Sequence, residues 1–153
     1  MRERYGFDLA ATDMLERIRC LVSEQPDDAD RVLLLAAALA MGGDDDLATV
    51  QARRAAELAP ASARAQTTLA SLRLRGGDGP GALECARRAA ELDGSDPSVL
   101  YNLGLAEWFG GEKSRARTAF DQAALALSER GEGDATALNG DRRRGWWPLR
   151  RSG

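Results

Sequence analysis

Ala52-Arg-Arg-Ala-Ala-Glu-Leu58 returns unchanged as Ala86-Arg-Arg-Ala-Ala-Glu-Leu92, 34 residues further along the chain. Self-similarity at a fixed period of about 20–50 residues marks a chain built from stacked supersecondary units, each too small to bury its own apolar face. Extending this register in both directions divides the sequence into units 29–62, 63–96 and 97–130. Within each unit, a pair of glycines followed by an acid separates two helix-length stretches: Gly42-Gly43-Asp44, Gly76-Gly77-Asp78 and Gly110-Gly111-Glu112. Glycine just past a helix accepts the left-handed conformation that closes a helical C-terminus. The acid after it can accept hydrogen bonds from the free N–H groups that open the next helix. Pro80 stands where a first helical turn tolerates proline, and Asp96-Pro97 is a cap followed by a good first helical residue. The expectation is three antiparallel helix pairs and no strands.

Small residues recur in the same register. Leu35-Ala36, Leu69-Ala70 and Leu103-Gly104 occupy equivalent places in the first helices. Ala48, Ala82 and Ala116, then Ala55, Ala89 and Ala123, do so in the second helices. A side chain larger than methyl at such points would overpack a close helix crossing, at roughly 1–3 kcal/mol. The 34-residue period with this Leu-small, Ala, Ala pattern resembles the tetratricopeptide repeat (TPR) family. The resemblance implies an all-α fold, a right-handed α-solenoid of antiparallel helix pairs. Pro60 ends the first unit and Pro26 precedes it by one period, so Thr12 to Glu24 reads as the second helix of a degenerate leading repeat, a cap within an N-terminal segment 1–28. In one respect the sequence departs from the pattern. The family's large aromatic in the middle of the second helix is matched by Phe120, but Ala52 and Ala86 hold that place in the first two units, which are expected to be thinly packed.

Stacked helix pairs leave a concave face, and in this family positions of the first helices line it. The resemblance carries those positions to Leu33, Ala37, Ala40 and Met41 in the first unit. In the second they are Arg64, Thr67, Ser71, Leu74 and Arg75. In the third they are Tyr101, Asn102, Leu105, Trp108 and Phe109. Such a lining is apolar at both ends and basic in the middle. Aromatic residues and arginine anchor protein interfaces, so the implied partner is a peptide segment of another protein, apolar with some acidic character. The bland alternative packs Trp108 and Phe109 beneath a neighbouring helix. Some family members grip a terminal carboxylate with lysine and asparagine. Here Ala37, Ser71 and Leu105 hold the asparagine positions of that clamp, and Asn102 with Lys113 is all that remains, which argues against this form of recognition.

Composition narrows the function classes. There is no histidine among the 153 residues, which removes the usual general base, zinc ligand and triad partner. Asp44-Asp45-Asp46 lacks the spaced ligands of a calcium loop and reads as helix capping. No catalytic residue, cofactor or metal is expected. A net charge of −3 gives no bias towards nucleic acid or anionic membrane. Cys20 and Cys85 are far apart and read as reduced core residues. Met1 to Ala11 lacks a signal-like apolar run, so the expectation is a cytoplasmic protein, bacterial by its Ala/Arg-rich usage. The residues 131–153 break the pattern and end in an Arg- and Trp-containing tail with Trp146 and Trp147. It can be read as a solvated end, as a flap over the last unit, or as a linear motif. The function expected is an adaptor or chaperone. The architecture resembles the small three-repeat chaperones of bacterial type III secretion, and the alternatives are a self-assembling subunit or an accessory subunit of an enzyme complex.

Overall fold

The computed structural model describes residues 2–131, with side chains from Thr12 onward. The tail with Trp146 and Trp147 lies outside the described residues. Among those described there are seven helices and no strand. They are α1 (Arg2–Glu24), α2 (Ala29–Met41), α3 (Asp45–Leu58), α4 (Ala63–Arg75), α5 (Gly79–Leu92), α6 (Pro97–Phe109) and α7 (Lys113–Glu129).

Local chemistry sets where each helix begins and ends. α2, α4 and α6 are opened by Asp28, Ser62 and Asp96, whose side chains accept from the N–H groups of Arg31 (3.2 Å), Ala65 (3.2 Å) and Ser98 (2.7 Å) respectively. The same three helices close on the glycine pairs. Gly43, Gly77 and Gly111 take φ of +86°, +84° and +85°, a region that costs a residue with a Cβ about 1–2 kcal/mol. That turn lets Asp44 N–H donate to Leu39 C=O (3.0 Å), Asp78 to Arg73 (2.8 Å) and Glu112 to Glu107 (2.9 Å), which satisfies carbonyls the helix leaves bare. The following acids then diverge. Asp44 and Asp78 cap the next helix through Leu47 N–H (3.2 Å) and Gly81 N–H (3.0 Å), but Glu112 makes no side-chain cap. Its extra methylene carries the carboxylate past the N–H groups that a shorter aspartate reaches.

Packing follows the small residues. Ala36, Ala70, Ala48, Ala82, Ala116 and Ala55 are completely buried, and α2 packs on α3, α4 on α5 and α6 on α7. Ala52 and Ala86 are also completely buried, so the first two pairs close down onto methyl groups. The third pair closes differently. Gly104 is buried against the Phe120 ring, and a Cβ added to it would lie 2.6 Å from a ring carbon. Where the second helix supplies an aromatic, the first gives up its last side-chain atom.

Consecutive pairs stack through α3 on α4 and α5 on α6. In addition α2 touches α4 and α4 touches α6, whereas among the described residues α3 does not touch α5, nor α5 α7. The first helices therefore crowd the inner arc of the stack and the second helices spread along the outer one. α1 packs on α2 as α3 packs on α4. It starts at Arg2, not at Thr12, and runs for 23 residues. It buries Ile18 and Val22 and leaves Met14 and Leu21 at 60% and 40% exposure. One period later those two positions are Ala48 and Ala55, which α2 covers; α1 has no such neighbour among the described residues.

Candidate functional site

The inner arc carries the positions singled out from the register, and the structure sorts them. Ala37, Thr67, Ser71, Arg75 and Asn102 come together with Ala36, Ala40, Thr68 and Leu72 around a hollow of about 250 Å³. Its walls belong to α2, α4 and α6, so it is formed only when three successive first helices are stacked. The hollow opens where α2 and α4 put Ala37 and Ser71 at the register position that α6 fills with Leu105, and where α2 puts Ala40 at the position of Trp108. At the α6 end the trough is filled rather than empty. Tyr101 is 52% exposed and its ring lies 5.6 Å, tilted by 52°, from that of Phe120. Trp108 is half-buried with Lys113 Nζ 5.6 Å from its ring. Phe109 is 66% exposed, so the alternative in which a neighbouring helix buries it does not hold. Met41, at the equivalent position of α2, is exposed, while Leu74 and Leu105 are half-buried.

Three sequence expectations need correction. Leu33 does not line the trough: it is 4% exposed and belongs to the core cluster that also contains Ile18 and Val22. Burying a leucine side chain gains roughly 1.5–3 kcal/mol, and the residues of α1 offer it an apolar place to lie. The middle of the trough is also less basic than its composition implied. Arg75 Nη2 is 2.9 Å from Asp45 Oδ1 at the start of α3. Asp45 is thus an ion-pair partner rather than a cap. Arg64 remains exposed and makes no ion pair with another described residue. Cys85 is buried as expected, 3.3 Å from Arg73 Nη1, and burial raises its thiol pKa against the lowering pull of Arg73. Cys20, however, is exposed. It stands at the register position of Arg54 and Arg88 on the solvent side, a signal the sequence already contained.

The polar groups around the hollow are incompletely used. Thr67 and Thr68 donate back to Ala63 C=O (2.8 Å) and Arg64 C=O (2.9 Å) within their own helix. Asn102 donates to Ser98 C=O (2.8 Å), and its amide oxygen accepts from no described residue. Ser71 Oγ and the Arg75 guanidinium make no hydrogen bond to another described residue. A wider depression of about 720 Å³ lies along α4 and α5, lined among others by Arg73, Glu84, Arg87, Arg88 and Glu91. Its charges alternate in sign and Arg88 pairs with Glu91 at 3.4 Å, as expected of a solvated helix face.

Among the described residues no cluster of Cys, Asp and Glu could hold a metal ion, and no helix is long and apolar enough to cross a membrane. No protein-family model matches the sequence, and no curated protein matches it. Solved structures do. The chain is similar to MamA, with a TM-score of 0.69 and 19% identity over 94% of this chain and 95% of that one. It is similar to the second TPR domain of Spaghetti (RPAP3) bound to the HSP90 peptide SRMEEVD, with a TM-score of 0.62 and 21% identity over 68% of this chain and 97% of that one. It also aligns with part of the APC/C Cut9–Hcn1 hetero-tetramer, at a TM-score of 0.71 and 19% identity, covering 77% of this chain and 22% of that one. At these identities the likeness concerns architecture, and the chain has the tetratricopeptide-repeat fold, an all-α stack of antiparallel helix pairs.

Proposed function

We propose that the protein is a non-catalytic interaction module, an adaptor or chaperone, that holds a peptide segment of a partner protein along the inner arc. The observation that carries this is the hollow formed jointly by α2, α4 and α6, together with Tyr101 and Phe109 exposed on α6. Aromatics and arginine at the mouth of such a trough are the residue types that dominate interface energetics. A chain of the same fold, the RPAP3 domain, is bound to a peptide. The test is affinity capture from the native cell with mass spectrometry, comparing the wild type with an Arg75→Glu/Phe109→Ala variant. Both positions are solvent-exposed, so helicity by circular dichroism should persist while recovery of the wild-type partner falls at least about tenfold, some 1.4 kcal/mol. Undiminished recovery by a folded variant would rule the trough out as the binding surface.

A second reading, self-association, is favoured by α1. Its Met14 and Leu21 are exposed on the face that α2 covers in the equivalent helix α3. Sedimentation velocity of wild type and Met14→Glu/Leu21→Glu decides it. A concentration-independent monomer of both ends that reading.

A further inference from the structure

We propose that the hollow is a socket for one aliphatic side chain of the bound segment, and that an acidic residue beside it takes Arg75 over from Asp45. The inference rests on the reading of the inner arc as a peptide-binding trough and names the chemistry it selects. Three observations support it. The apolar part of the hollow's lining is the methyls of Ala37 and Ala40, with buried Ala36 and Leu72 behind them. The hollow is an open depression of about 250 Å³, which has room for a leucine- or isoleucine-sized group without displacing a helix. The rim is polar and unspent: Ser71 Oγ, the Asn102 amide oxygen and the N–H groups of Arg75 make no hydrogen bond to a described residue. An extended peptide presents the matching set, an amide for Asn102 and Ser71 and a carboxylate for Arg75.

The Arg75–Asp45 pair shows which charge is wanted. At 2.9 Å the two are in electrostatic contact, yet Asp45 Oδ1 is buried and accepts no hydrogen bond. The N–H bonds of Arg75 are therefore not directed at Asp45, and the guanidinium can give a bidentate pair to an incoming carboxylate. The Arg75 side chain is half exposed, so solvent screens its pair with Asp45 and the pair is weak. Asp45 is a weak competitor for the arginine. A basic segment would meet Arg64 and Arg75 as like charges, and a wholly apolar one would leave the rim unpaired.

The test selects a random twelve-residue peptide library displayed on phage against the full chain, then measures the enriched peptide by fluorescence anisotropy. Enriched sequences should share an aliphatic residue next to Asp or Glu. Ser71→Leu and, separately, Ala37→Leu fill the hollow and should weaken binding at least about tenfold, with unchanged helicity. Asp45→Asn should tighten it about two- to fivefold, the release of one exposed competing charge. That gain should vanish when the peptide's acid is replaced by its amide. Enriched peptides without an acid, binding indifferent to both hollow-filling variants, or weaker binding by Asp45→Asn would each overturn the socket while leaving the trough standing. A library that yields no binder at all would overturn the trough as well.

Discussion

The third helix pair and the second meet the same steric problem with opposite pieces. In α4 and α5, methyl faces methyl: Ala70 and Ala86 are both completely buried. In α6 and α7, a bare backbone faces a ring: Gly104 lies against Phe120. The two helices of each pair pack on one another in both cases, through two methyls in one and through a glycine that makes room for a ring in the other. The choice also has a consequence on the inner arc. Phe120 supports Tyr101 from behind at 5.6 Å, and the aromatic end of the trough begins there. The alanine-built pairs support nothing so large, and the hollow opens over them.

Swapping pieces between the pairs should break this pattern most severely. Ala86→Phe in the second pair overpacks a site built for a methyl and should cost roughly 1–3 kcal/mol in chemical denaturation. Adding Ala70→Gly should restore part of the loss. The reciprocal change, Gly104→Ala, pushes a methyl into the Phe120 ring and should cost a similar amount, relieved by Phe120→Leu. A coupling of about 0.5–3 kcal/mol in each double-mutant cycle is expected; additive effects would show that the two positions do not share the space.

The caps give a smaller contrast. Hydrogen bonds from Ser98 hold the Asp96 carboxyl below the usual carboxylate range, with a lesser contribution from Arg130. A depressed carboxylate stabilises the fold above its unfolded pKa of about 3.9, and that contribution is lost as pH falls through the lower folded value. Asp96→Ala should therefore cost about 1 kcal/mol at neutral pH, with the gap to wild type closing as the pH falls below about 4 in thermal melts. The least effect belongs to α7, which has no side-chain cap where α3 and α5 have one. Glu112→Asp should supply the cap that Asp44 and Asp78 provide and raise stability by about 0.5–1 kcal/mol. No gain would mean that α7 is held by packing alone.

Register position 45, 79, 113 shows where the sequence stopped being legible. The same place carries Asp45, which reaches Arg75 across the unit boundary, then Gly79, which reaches nothing, then Lys113, which lies over Trp108 of its own unit. No local pattern distinguishes these, because each depends on which long side chain a neighbouring helix presents. Leu33 escaped for the same reason. By register it is the counterpart of Thr67 and Tyr101, and only the apolar residues of α1 draw it inward. Cys20, by contrast, could have been placed from its equivalence to Arg54 and Arg88.

The period, the helix boundaries at Gly-Gly-acid turns and the small residues at the crossings are legible in the chain alone. These are set by interactions within a few residues or within one repeating register, so they can be read from a single strand of text. That α2, α4 and α6 jointly line a hollow, that Asp45 lies against Arg75 and that α1 leaves Met14 and Leu21 open emerges only from the assembled stack. Each depends on side chains brought together from separate helices, and stacking distance rather than sequence distance governs what a burial or a charge meets.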